Sequence, residues 1–494
     1  KGRVFEEFSV NLQLKIKLDR MKSKIFAFIM LLSATLSLSS CLNSDETTVE
    51  YTHDTAITAF SLGKLDRWSK TTAGKDTLLE SNIDGSNYKF YIDQTLRKIY
   101  NVDSLPCGVR NTAVLATISS KNSSPVLLMD IDKTDSIAAY YSSSDSINFS
   151  KPRYIRAYNA DYSAYVTYEV TVNIHQEEPN DFNWKSLAMA NAGLKSLSDL
   201  KALAMDNHIY VFGKADGAFQ VYKSAITDGN TWTAVTPTVS FGEDDYQNAV
   251  VMGGKLYIFS NGKVYASDDA ETWTAIAENQ SIKQLIGASS KYLYAYEGYE
   301  ELPTSENATS TQKVTTGILV SKDNGRTWEG ETLDNDAFYL PTHNVSINSS
   351  VILSTQNAEN LLLMGTRPAS SDTIATIWNH TVDYATNAPV STWNYLEIDK
   401  NRSGKMPTMD EVLVCPADTG FVALGSNSKW YKSKDAGLTW TVDATVSMPV
   451  NFMNSARFGF CRDKDNYYWI INNGYVWKGR YNKDGWRKDQ TSFE

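Results

Sequence analysis

A chain that carries the pattern Ser-x-Asp-x-Gly-x-Thr-Trp twice is bound to a repeated local structure. The complete copies are Ser321, Asp323, Gly325, Thr327, Trp328 and Ser433, Asp435, Gly437, Thr439, Trp440. A shortened copy reads Ser267, Asp269, Thr272, Trp273, and fainter ones end in Trp232, Trp393 and Trp486. These are the residue types of a hairpin turn. Asp and Ser side chains bond nearby backbone N–H groups, Gly takes a positive φ, and Trp drops into the seam between sheets. Counted from Trp184, the repeats end 41 to 65 residues apart. Each reads as strand, strand, strand, turn, outer strand. A sheet of that size cannot bury both faces alone, so neighbouring sheets stack around an axis as a β-propeller. Six complete units follow, with the strand from Trp184 either completing the last blade as a closing strap or belonging to the linker; seven blades is the alternative.

The pattern resembles the Asp-box of sialidase-like β-propellers. The resemblance implies architecture and no reaction: such boxes lie on the rim away from the active centre, and propellers host unrelated functions.

Residues 1–20 read as an unstructured upstream extension and Met21-Lys22-Ser23-Lys24 as the basic start of a signal peptide over 21–40. The apolar run from Ile25 to Leu38 is too short and too Ser-rich to span a membrane. It ends in Leu38-Ser39-Ser40-Cys41, which resembles a bacterial lipobox, with Cys41 as the lipid attachment site. Leu42-Asn43-Ser44-Asp45-Glu46 is similar to the acidic export tag of lipoproteins of Bacteroidetes-type bacteria. Together these imply an outer-membrane protein facing the cell exterior, held by acyl chains alone. Beyond residue 40 the chain keeps 40 basic against 54 acidic residues, which argues against nucleic acid as a partner. Of the other cysteines, Cys415 and Cys461 each lie 25 residues before a repeat Trp. Buried packing residues explain that better than a disulfide.

After a tether over 41–52, residues 53–178 show alternating, aromatic strand patterns. In Tyr165–Ile174, Tyr168, Val170, Val172 and Ile174 share one face, as in a half-buried antiparallel strand. An immunoglobulin-like β-sandwich fits. The segments Asp93–Pro106 and Tyr168–Gln176 look like the N-terminal domain of a family of Bacteroidetes-type lipoproteins that joins such a module to a propeller; the resemblance brings no activity. The linker is 179–183 and the propeller 184–494, so the expected fold is all-β.

In the usual propeller winding, ligands bind on the face opposite the boxes. Candidates there are Tyr246 on a blade-linking loop, Tyr299 and Glu300 on the loop Glu297–Thr316, Tyr339, and Arg367 on the loop Gly365–Thr373. Aromatic rings beside carboxylates and an Arg suit a sugar, although with 28 Tyr in the chain many tyrosines simply cover apolar surface. The three converging arginines of a sialidase are not evident; Arg457 and Arg462 flank one inner strand and read as salt-bridge partners. No phosphate loop, nucleophile elbow or metal-spaced His pair is present, and no metal or cofactor is expected. The reading is a monomeric, lipid-anchored surface protein that binds a glycan or a surface protein, without evident catalysis. A sialidase-like glycoside hydrolase or a lyase is the alternative, which a pair of buried carboxylates in the central depression would favour.

Overall fold

The computed structural model describes residues 55–70, 74–303, 311–352, 357–367, 373–385, 391–397, 404–417 and 420–486. Cys41, with the signal and tether segments, lies outside the described residues. The chain divides into two compact units that interleave in sequence. One takes the described residues through Gly63, Phe90–Tyr100 and Asn111–Thr171; the other takes Lys64–Lys89, Asn101–Arg110 and everything from Val172 on. Among the described residues no helix is long and apolar enough to cross a membrane.

In the first unit a six-stranded sheet runs in the order Phe90–Asp93, Lys98–Asn101, Tyr165–Thr171, Arg153–Tyr158, Val126–Met129, Ile137–Tyr140. A separate pair joins Ile57–Leu62 to Ala116–Ser120. Strand Tyr165–Thr171 is antiparallel to Arg153–Tyr158 but parallel to Lys98–Asn101, so the antiparallel expectation holds on one side only. The expected alternation continues past the strand's end: Tyr168, Val170, Val172 and Ile174 are buried. Asn173 breaks it, because it too is buried. Asn101 takes up its donors: the Asn173 N–H donates to Asn101 Oδ1 at 2.7 Å and its Nδ2 to the Asn101 carbonyl at 2.6 Å.

In the second unit the repeats fold into antiparallel four-stranded sheets. Asp199–Met205 opens one, Val250–Met252 the next, Val412–Ala417 another. Two further groups of four, opening with Ile282–Ala288 and His343–Val351, are joined by a single parallel bridge between Gly287 and Ile347 into one eight-stranded sheet. The last sheet contains Phe458–Arg462, Tyr468–Asn472 and Tyr475–Tyr481, and its outer strand is Phe182–Ser186 from the front of the repeats, paired antiparallel to Tyr475–Tyr481. The first strands of successive sheets pack side by side, and Phe458–Arg462 returns to Asp199–Met205, closing a ring. Cys415 and Cys461 occupy matching places on such strands, buried and unpaired.

The repeated turns show why the sequence recurs. In each complete copy the Ser hydroxyl donates to the Asp carboxylate at 2.9 Å and accepts from the Gly N–H, at 2.8 Å for Gly325 and 2.9 Å for Gly437. The carboxylate also takes the backbone and hydroxyl of Thr327 or Thr439. The Trp indole closes the turn onto the Gly carbonyl, at 3.1 Å for Trp328 and 2.9 Å for Trp440. Both glycines sit near φ +88, where a side chain is strained. The shortened copy repeats the scheme with Ala270 at φ 64, Ser267 and Asp269 capping it and Trp273 bonding the Ala270 carbonyl at 2.8 Å. Trp273 and Trp440 are buried and Trp328 half-buried.

One expected loop is mostly strand. Leu293–Pro303 and Thr311–Ser321 pair from Leu293↔Ser321 out to Pro303↔Thr311, so Glu297–Thr316 forms a two-stranded arm. The inner strand stops pairing at Glu297, and the arm runs on past it. Only its tip, 304–310, lies outside the described residues. Gly365 and Thr366 likewise belong to strand Ala358–Thr366, not to a loop.

Candidate functional site

Because each sheet is an antiparallel meander, the repeated turns share one end of the sheets. The sheet-to-sheet connections and the turns between second and third strands share the other. On that other end a short 3-10 turn, Ala337–Tyr339, is fixed by Asp336, whose carboxylate accepts from the Phe338 N–H at 2.8 Å. The Tyr339 carbonyl accepts from Trp378 Nε1 at 3.1 Å, and its ring stacks on Tyr395 with centroids 4.9 Å apart. Arg367, just past strand Ala358–Thr366, lays its guanidinium 5.1 Å from the Tyr339 ring and 5.5 Å from the Phe338 ring. All three side chains are half-buried. The result is a planar donor fork resting on an aromatic platform.

The other candidates do not join this patch as expected. Tyr299 is a strand residue whose hydroxyl donates to Gln284 Oε1 at 3.0 Å. It packs, like Tyr339, against the core cluster of Ile286, Leu361 and Trp378, and burial pushes its phenol up to about 12. Glu300, its neighbour, is exposed on the arm. Tyr246 is only 3% exposed, set by a 3-10 turn into the seam that holds Tyr210 and Trp273, so it offers no ring face to a ligand. Burial, then the Asp199 carboxylate, raises its phenol far above the usual range. Polar Asp244-Asp245 made that segment look like a solvated loop, while the aromatic behind it faces inward.

A polar ring that the sequence reading did not assemble lines the same end of the inner strands, bonding most sheets to their neighbours. Lys201 Nζ donates to the Gln247 carbonyl at 3.0 Å, and Asn248 Oδ1 accepts from the Leu285 N–H at 3.0 Å. Asn344 Nδ2 reaches the Asp410 carbonyl at 3.1 Å, and Glu411 Oε2 accepts from the Phe458 N–H at 3.1 Å. Arg457 donates to the Asp410 carbonyl at 3.0 Å and lies 3.9 Å from Asp199. Burial lowers Lys201 to about 8 and raises Glu411 to about 8, against the pull of the Phe458 N–H and Arg457. Of the two carboxylates, Glu411 is buried while the Asp199 side chain is 29% exposed. The buried pair that would mark a hydrolase is therefore half present. No sequence motif announces this ring, because its members start different repeats. Among the described residues no cluster of three or more His, Cys, Asp or Glu could hold a metal.

Residues 178–489 match the DUF6242 beta propeller domain, and residues 60–172 match the N-terminal domain of unknown function of the same name. The chain belongs to the DUF6242 family. No curated protein matches the DUF6242 chain. Among solved structures it is similar to the fucose-specific lectin from Aleuria aurantia, at 11% identity and a TM-score of 0.31 over 59% of this chain and 89% of the lectin. YCF48 from Cyanidioschyzon merolae aligns at 14% identity and a TM-score of 0.29, covering 60% and 98%. A gluconolactonase from Xanthomonas campestris aligns at 11% and 0.33, covering 61% and 96%.

Proposed function

We propose that this DUF6242 chain is a surface-anchored glycan-binding protein whose propeller carries the ligand on the end opposite the repeated turns. The observation that carries the reading is the Arg367 guanidinium spread over Phe338 and Tyr339. A sugar's C–H face stacks on an aromatic ring while its hydroxyls take donors from a planar fork, and both elements are partly open here. In the same reading the propeller has six blades, closed by Phe182–Ser186, and its repeated turns are Asp-boxes. The N-terminal region serves as an immunoglobulin-like spacer, and Cys41 carries the lipid that holds the protein on the outer face of the outer membrane; fatty-acid labelling that persists in Cys41→Ser would refute the anchor.

A glycan array probed with lipid-free protein tests the site. Arg367→Ala should weaken the strongest array signal at least about tenfold, the loss of one charge-assisted contact set, with an unchanged melting temperature. Binding equal to wild type would place the ligand elsewhere. Tyr339 is a poorer probe, since its ring supports Tyr395 and the core. The second reading, a hydrolase, rests on Glu411: a carboxyl raised to about 8 is protonated at neutral pH, as a general acid must be. Turnover on the array that vanishes in Glu411→Gln while binding remains would favour it.

A further inference from the structure

The end that carries the repeated turns holds a cleft of about 440 Å³, between the shortened turn and the complete turn that follows it. Its floor is Met252, Tyr257 and Ile276, and its rim includes Thr272, Asn324 and Arg326. That volume lies within the range of small-molecule sites, which combine an apolar floor with a few placed polar groups.

The cleft exists because one repeat departs from the next. Leu256 and Leu293 pair with the serines that begin the two turns, Ser267 and Ser321, so Tyr257 and Tyr294 are equivalent. Beside Tyr294 stands the polar Ser289. Counting back along the strands, the place of Ser289 is taken by Met252, followed by Gly253 and Gly254, and a Cβ on Gly253 would meet nothing within 4 Å. Tyr257 is therefore left 2% exposed, lining the cleft, with no hydrogen bond to its hydroxyl among the described residues. A tyrosine with a buried ring usually gives its hydroxyl a protein partner or water; here the hydroxyl opens to the cleft.

The charges around that hydroxyl are unevenly engaged. Lys255 is paired with Asp268 at 2.5 Å, and Asp269 is occupied by the Ser267 hydroxyl and the N–H groups of Glu271 and Thr272. Arg326 has no carboxylate partner among the described residues; its guanidinium reaches only the Asp323 carbonyl, at 3.4 Å. A free planar fork selects a carboxylate, which it binds through two parallel bonds. We infer that this cleft is a second ligand site, for a carboxylate-bearing sugar of one or two rings, with Arg326 on the carboxylate and the Tyr257 hydroxyl bonded to a ring substituent.

Titration calorimetry on the full chain, with D-glucuronate as probe and D-glucose as the neutral control, tests this. Glucuronate should bind saturably in the millimolar range and more tightly than glucose. Arg326→Gln should abolish that preference, and Tyr257→Phe should weaken glucuronate about tenfold while leaving the melting temperature level or higher, because it removes a polar group that the protein does not satisfy. Arg367→Ala should leave glucuronate binding intact, which separates this site from the one proposed on the opposite end. Absence of saturable glucuronate binding, equal affinity for glucose, or unchanged affinity in both cleft variants would each overturn the inference.

Discussion

Replacing Trp440 by Ala tests whether the repeated turn holds the sheets together or merely decorates their edge. The indole is 3% exposed and packs with Leu362, Met364 and Ile377 of one sheet, Val412 of the next, and Met406 on the connection between them. Truncating a buried Trp costs about 3 to 5 kcal/mol, and the Gly437 carbonyl loses its 2.9 Å bond. For a cooperative unit the size of the 178–489 segment, unfolding entropy scaled by residue makes each kcal/mol worth about 1.5 °C. Trp440→Ala should therefore lower the melting temperature by about 5 to 8 °C in calorimetry, by that entropy scaling. Trp440→Phe keeps much of the buried surface and loses the indole bond, so its loss should be less than half as large. A shift below about 1 °C for the Ala variant, on the same scaling, would mean that the seam does not depend on this ring and that the packing argument fails.

Two further predictions concern pH. Glu411 has a folded pKa of about 8, well above its unfolded value, so its protonated form favours the folded state and the advantage is lost as pH rises from about 4.5 to 8. Glu411→Gln should abolish that decline in melting temperature; an identical slope in both proteins would contradict it. For Asp323, burial works to raise the pKa, but hydrogen bonds from Thr327, Ser321 and the Arg326 N–H overcome it and hold the carboxyl at about 2. Its stabilisation is present above the unfolded pKa of about 4 and is lost as pH falls towards 2, so Asp323→Asn should flatten this part of the acid limb, and an unchanged acid limb would refute the assignment.

The architecture was legible because its signals are local. Turn geometry fixes Ser, Asp, Gly and Trp at set spacings, and the seam buries Trp273 and Trp440. The arm Leu293–Pro303 was not legible as strand, since Tyr-Glu-Gly-Tyr-Glu-Glu lacks the alternating apolar pattern; it is held by pairing across to Thr311–Ser321. Sites were harder still. The contact between Arg457 and Asp199 joins the two ends of the ring, and nothing local marks it. Tyr257 sits in Lys-Leu-Tyr-Ile-Phe-Ser, which reads as plain core; the open cleft beside it depends on Met252, Gly253 and Gly254 standing where the next sheet has Ser289, Ser290 and Lys291.

The pairing of Phe182–Ser186 with Tyr475–Tyr481 has a consequence for biosynthesis. A chain made from its N-terminus exposes the sheet opened by Asp199–Met205 long before the strand Phe458–Arg462 that must lie against it. Until the final hairpin emerges, two sheet edges and two apolar faces stay open, each a template for another nascent chain. Closure is thus the last event of folding and couples the oldest part of the propeller to the newest. A variant with a weakened clasp, such as Gly479→Val, which would crowd Phe182 and Asn183, should fail by association between chains during synthesis.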